Sequence, residues 1–250
     1  VKALRFACLL LLCGMVACRA PGAEQAAAAT RPAGVDEKLW NLMVEIDARG
    51  AGINDLSADF TQEKHTPLLK KPLVSSGHIL IKGSASLWTT AQPEPTVMRI
   101  DNKEIRLLYP KQKVMEIYRT DERMGSLAAS PFPRLGVLKE HFTFERVPAR
   151  GIIPGADESK FLALRMKPAQ EELRKHIDEV TVVLGIATGF VQRAQTIDTD
   201  GDRVVLTFSN LRINTGLKDK DLEMEVPAGV SVTRPLEGGG ADETGQGKRK

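Results

Sequence analysis

Cysteine, histidine and a short run of aspartates are the residues of this chain that could do chemistry. The three cysteines, Cys8, Cys13 and Cys18, all lie in the first eighteen positions. No thiol follows them, so a cysteine nucleophile is excluded from the body of the chain. Cys18 closes the stretch Met15-Val16-Ala17-Cys18, the pattern of a bacterial lipobox, whose cysteine is acylated and becomes the first mature residue. The residues before it fit that chemistry. Lys2 and Arg5 make a basic start, and Leu4 to Ala17, apart from Arg5, is an apolar run too short to span a bilayer comfortably. Three outcomes are open, in this order of preference: lipid modification at Cys18, ordinary cleavage beside Ala20 or Ala23, and an uncleaved anchor. The first makes 1–17 a signal peptide and Cys18 a lipid anchor.

The four histidines, His65, His78, His141 and His176, are well separated and lack ligand spacing, so no metal site is expected. Asp198-Thr199-Asp200-Gly201-Asp202 looks at first like a calcium loop. An EF-hand needs glycine directly after the third acid and glutamate at the twelfth position; here Gly201 precedes Asp202 and Ser209 stands twelfth. A glycine-containing hairpin turn is the expectation. Gly-x-Ser-x-Gly, His-Glu-x-x-His, Gly-x-Gly-x-x-Gly and a Gly-Lys-Ser/Thr phosphate loop are all absent. The chain is expected to be non-catalytic, with no cofactor.

The elements that would position any site follow from periodicity. Leu39, Leu42, Met43 and Ile46 make one helical stripe, with Asp36 as N-cap and Gly50 as the stop. Strand patterns follow at 56–64, 77–82, 87–90, 96–101, 104–109 and 113–118, separated by turns too short for parallel crossovers. Between Thr120 and Lys139, broken by Pro131 and Pro133, two short helices are expected. Strand patterns resume at 142–147, 160–166, 177–184, 190–196, 204–214 and 222–232. The last rests on Leu222, Met224 and Val226 alternating with Glu223 and Glu225. The fold class is mainly β with a few helices. An antiparallel sheet of about eleven strands must curl to bury a face. An unclosed barrel with a helical lid over an apolar cavity satisfies that need.

Composition bounds the rest. The net charge is +3 over 250 residues, and loss of Lys2 and Arg5 brings the body close to neutral. That balance argues against a nucleic-acid partner. The segment 18–34, rich in Ala, Pro and Gly, is expected to be a flexible tether, and 237–250 a disordered tail. Between them, 35–236 is long enough for one large domain and folds without disulfides.

From Leu56-Ser57-Ala58-Asp59-Phe60-Thr61-Gln62 onward the chain resembles the periplasmic carriers of outer-membrane lipoproteins, the LolA-like family. That strand follows an amphipathic helix, as in the family. Ser76-Gly77-His78-Ile79-Leu80-Ile81-Lys82 comes next, then Leu87-Trp88 to Gln92-Pro93, Ile100-Asp101-Asn102-Lys103 and Tyr109-Pro110. Phe208-Ser209-Asn210 and Pro227-Ala228-Gly229-Val230 are similar to the closing strands. Two departures stand out. Gly83-Ser84 replaces the family's basic turn after Lys82, and Ser86-Leu87 replaces the aromatic and Arg before the Trp. The resemblance implies an apolar cavity that shelters acyl chains of lipoproteins or lipids during transfer to the outer membrane.

On that reading the cavity wall is expected to be Phe60, Ile79, Ile81, Trp88, Met98, Ile100, Leu107, Met115 and Ile117. The lid is expected to be Met124, Leu127, Leu135 and Leu138. Expected partners are acylated lipoproteins or lipids, envelope proteins, and the membrane through Cys18 if it is lipidated. The expected location is the periplasm of a Gram-negative-type bacterium. The alternative function is an envelope-sensing module of the same fold that binds a protein partner.

Overall fold

Asp36 starts the first helix, α1 (Glu37–Gly50), by accepting a hydrogen bond from the Leu39 amide at 3.0 Å. This satisfies one of the amides that a helix start leaves without a partner. The buried stripe is Leu39, Trp40, Met43 and Ile46; Leu42, expected in it, is half-buried, and Trp40 takes the inward place. The computed structural model describes residues 30–119 and 135–235.

Six strands follow α1 as a meander: β1 (Asp55–His65), β2 (Leu73–Lys82), β3 (Ala85–Gln92), β4 (Thr96–Ile100), β5 (Glu104–Tyr109) and β6 (Val114–Arg119). After helix α2 (Leu135–His141) come β7 (Phe142–Val147), β8 (Phe161–Pro168), the short helix α3 (Glu171–Arg174), β9 (Ile177–Gly185), β10 (Phe190–Asp198) and β11 (Arg203–Ile213). The chain ends in β12 (Ser231–Thr233). Spatial order is β12-β6-β5-β4-β3-β2-β1-β11-β10-β9-β8-β7. The two meanders therefore join where β1 pairs antiparallel with β11, and β7 and β12 remain edges. All pairings are antiparallel except β12 with β6, so the sheet is the expected unclosed barrel with one parallel edge strand.

Three details differ from the sequence expectation. Residues 223–230 form no strand, although Leu222 and Met224 alternate with glutamates. Leu222 ends a 3₁₀ turn (Asp219–Leu222), and Met224 packs with Leu108, Met115 and Ile117 on the outer sheet face. Val226, the third residue of the alternation, is exposed, so the pattern reports two local contacts of a strap lying on the sheet, not pairing in a ladder. Of the two helices expected between 120 and 139, one is seen as α2, and 120–134 lies outside the described residues. The helix α3 had no sequence expectation.

Gly77 is where the fold requires a glycine. The β2–β3 register shifts between Ser76 and Gly77. A Cβ on Gly77 would lie 2.0 Å from the Thr89 carbonyl oxygen and 2.8 Å from Thr90 Cα. Only the missing side chain lets the two backbones approach this closely.

Candidate functional site

Strand alternation sorts the expected wall into two faces. In β1 to β5, Phe60, Ile79, Ile81, Trp88, Met98, Ile100 and Leu107 point to one face and belong to one buried cluster. Register makes them neighbours: Ile79 opposes Trp88, Trp88 opposes Met98, and Met98 opposes Leu107. The second meander continues the face with Phe142 and Phe144 on β7, Leu164 and Met166 on β8, and Val180 and Val182 on β9. Sequence reading nominated none of these, although each pair carries the two-residue spacing that singled out Ile79 and Ile81.

Met115 and Ile117 do not join that wall. In β6 Met115 pairs with Leu108 and Ile117 with Arg106, whereas Leu107 pairs with Glu116. Cross-strand partners share a face, so both residues lie on the outer side, under the C-terminal strap. There they form a separate cluster with Leu108, Met224 and Val230. Of the expected lid, Leu135 and Leu138 of α2 pack into the main cluster. The Leu135 amide donates to Asp47 Oδ1 at 2.9 Å, tying α2 to α1. Met124, Leu127 and Cys18 lie outside the described residues, as do 1–17 and 237–250.

Aromatic rings stand at the centre of the wall. Phe60 and Trp88 meet edge to face with centroids 5.2 Å apart, and Trp88 lies 6.3 Å from Phe208. The Trp88 indole N–H donates to Ser86 Oγ at 3.3 Å, so its one polar atom has a partner inside the apolar face. At the β5–β6 side the face turns polar around Glu116. The Tyr118 hydroxyl donates to Glu116 Oε2 at 2.7 Å. Burial, together with the charge and hydrogen bond of Glu116, pushes the Tyr109 hydroxyl up to about 12. Both tyrosines of the chain thus flank one carboxylate. Their positions were in the β5 and β6 strand patterns, but pairing across the hairpin was needed to bring them together.

The outer face holds the charged features. An open cleft of about 620 Å³ is lined by Arg99, Asp101, Lys103, Glu104, Arg106, Glu223 and Met224. Four of its charged side chains pair with one another: Arg99 with Asp101, and Arg106 with Glu104. Arg99 Nε also donates to the Leu222 carbonyl at 3.1 Å, fastening the strap. Asp55 fastens it further along, accepting from the Thr215 amide (2.8 Å), the Thr215 hydroxyl (3.0 Å) and the Gly216 amide (3.0 Å). Burial raises the Asp55 carboxyl, but those donors outweigh it and hold it below the usual range.

His78 Nδ1 lies 2.8 Å from Asp59 Oδ1, and Asn210 donates to Asp59 Oδ2 at 2.6 Å, on the same outer face. Asp198 Oδ1 accepts from the Asp200 and Asp202 amides, closing the β10–β11 turn expected there. Among the described residues no three His, Cys, Asp or Glu side chains group to hold a metal. Among those residues, too, no helix is long and apolar enough to cross a membrane.

The sequence model for "Outer membrane lipoprotein carrier protein LolA" matches residues 51–224. Structurally similar chains include a putative outer membrane lipoprotein-sorting protein domain from Vibrio parahaemolyticus. It is 15% identical, with 73% of this chain and 94% of that one covered, at a TM-score of 0.43. The Mycobacterium tuberculosis lipoprotein LppX is 11% identical, covering 71% and 97%, at 0.40. The MucA/MucB complex of Pseudomonas aeruginosa gives 10%, 75% and 60%, at 0.38. No curated protein matches.

Proposed function

The chain belongs to the outer membrane lipoprotein carrier family, LolA, and from that premise we propose that it is a non-catalytic carrier or acceptor of acyl chains in the periplasm. The chains would lie against the face built by Phe60, Ile79, Trp88, Met98 and Leu107. The observation that carries this reading is the cover on that face. An apolar surface runs from β5 across to β7, and among the described residues what lies on it is helix α1 with α2 beside it, laid across rather than woven into the sheet. A helix can lift off without breaking a strand ladder. Each sequestered CH₂ contributes about 0.8 kcal/mol, so a long apolar face suits acyl chains. Acylation of Cys18 would make the protein a tethered receiver; its removal with the leader would leave a diffusing shuttle.

Native mass spectrometry of gently purified protein tests the reading. Bound lipid, or uptake of a diacylated peptide, is the expected result. Protein that carries no lipid and takes up no acylated peptide refutes it. A co-purifying protein partner in place of lipid would favour the regulatory alternative. Intact mass of membrane-extracted protein decides the state of Cys18.

A further inference from the structure

The β1–β2 hairpin tip carries an apolar cluster that neither the core nor the wall uses. Seven large apolar side chains are exposed among the described residues, and four of them, Leu68, Leu69, Leu73 and Val74, sit at this one tip. Leu68 is 91% exposed and Leu73 54%. The β1–β2 ladder ends at Lys64 opposite Leu73, and β11 pairs with β1 only as far as His65, so 66–72 projects beyond the sheet. The turn is ordered: the Leu69 amide donates to the Thr66 carbonyl at 3.1 Å, and the Leu68 amide to Thr66 Oγ1 at 3.4 Å. An ordered turn that holds leucines in water exposes apolar area that a partner would bury.

Charge identifies the partner. Lys70 and Lys71 stand between the leucine pairs, both exposed and without an ion pair among the described residues. The acids at this end of the sheet have other partners: Glu63, opposite Val74, meets His65 at 3.1 Å, Asp202 on the β10–β11 turn is held by Lys64 at 3.0 Å, and Glu94 on the β3–β4 turn accepts from Gln112 at 3.5 Å. The β5–β6 turn, at the same end of the sheet by register, adds exposed Lys111 and Lys113. Leucines at a tip with lysines beside them match a bilayer interface. The apolar chains enter the acyl boundary, and the lysine stems run back to the phosphates.

We propose that this tip docks the protein onto an anionic lipid surface. The docking is independent of acyl-chain carriage, and a protein that carried no lipid would show it equally.

Because the body is free of cysteine, one introduced thiol can report on the tip. In the full chain with Cys8, Cys13 and Cys18 replaced by Ser, an environment-sensitive fluorophore is placed at Leu68→Cys, or at Lys160→Cys at the opposite end of the sheet. Vesicles of phosphatidylcholine with about 30 mol% phosphatidylglycerol are then added. The expected result is a blue shift at position 68 and none at 160. Leu69→Asp with Leu73→Asp should abolish it, and Lys70→Gln with Lys71→Gln should weaken the vesicle affinity about 25-fold, roughly fivefold per lysine. An unshifted label at 68 overturns the proposal. So does an equal shift at both sites, which an N-terminal anchor alone would produce. A shift at 68 that grows with protein concentration without vesicles also overturns it, since a second copy would then be covering the tip.

Discussion

Replacing Asp55 by Asn tests whether one carboxylate holds the C-terminal strap on the outer face. The carboxylate accepts three hydrogen bonds, two from Thr215 and one from the Gly216 amide. An Asn amide oxygen can keep the Thr215 pair, but its NH₂ then faces the Gly216 N–H, donor against donor. Losing one charge-assisted bond at a buried site costs about 2–3 kcal/mol. For a domain of this size that is about 4–12 °C in Tm. The pH dependence sharpens the test. The folded carboxyl lies below its ordinary 3.8. The unfolded chain therefore takes up the proton first as pH falls, and the stabilisation is lost between 3.8 and the lower folded value. Urea unfolding of both proteins should show the full gap at neutral pH and a narrower one at pH about 3. Amide exchange at Thr215 and Gly216 should quicken in Asp55→Asn. A gap of the same size at both pH values, or no gap at all, refutes the account.

Gly77→Ala should cost at least about 3 kcal/mol or prevent folding, because its Cβ would meet backbone rather than a movable side chain. Gly136→Ala on α2, with nothing within 4 Å, should instead stabilise by about 0.5–1 kcal/mol; thermal unfolding reads both. Ser86→Ala leaves the Trp88 N–H buried without an acceptor and should lose about 1–2 kcal/mol by urea titration. Tyr109 should release its proton only near pH 12 in an ultraviolet absorbance titration, and Glu116→Gln should bring that value down. Its folded value is raised, so the associated stability is present below the ordinary 10.0 and is lost as pH climbs towards 12.

Local patterns predicted the fold well where one residue's neighbours decide its state. Asp36 caps α1 because a short acceptor stands before an apolar stripe, and that is visible without a structure. Ile79 and Ile81 share a face because strand geometry leaves no choice. Met115 and Ile117 also share a face with each other, but alternation cannot say which one. That depends on how the turn at Pro110–Lys113 sets Leu108 rather than Leu107 opposite Met115. A one-residue difference in register would have put both on the wall. Leu222 and Met224 misled for a related reason: two local contacts of a strap lying on the sheet leave the same alternation as a ladder. The Tyr109–Glu116–Tyr118 group was hidden because its members are adjacent only across a hairpin.

The main cluster is asked to do two things on the proposed reading: hold the fold together and receive a guest. The magnitudes decide whether one surface can serve both. Helix α1 buries Leu39, Trp40, Met43 and Ile46 on it, worth about 6–12 kcal/mol at 1.5–3 per side chain, an upper bound. One sixteen-carbon acyl chain, at about 0.8 kcal/mol per CH₂, brings about 12 kcal/mol. A single chain therefore roughly matches the helix it would displace, while two or three exceed it. That ordering would keep the face closed to lone fatty acids and open it to diacyl or triacyl cargo. The Asp47–Leu135 hydrogen bond adds to the closed side by making α2 move with α1. Selectivity for multiply acylated cargo would then follow from the amount of apolar surface already covered, with no residue needed to recognise a head group.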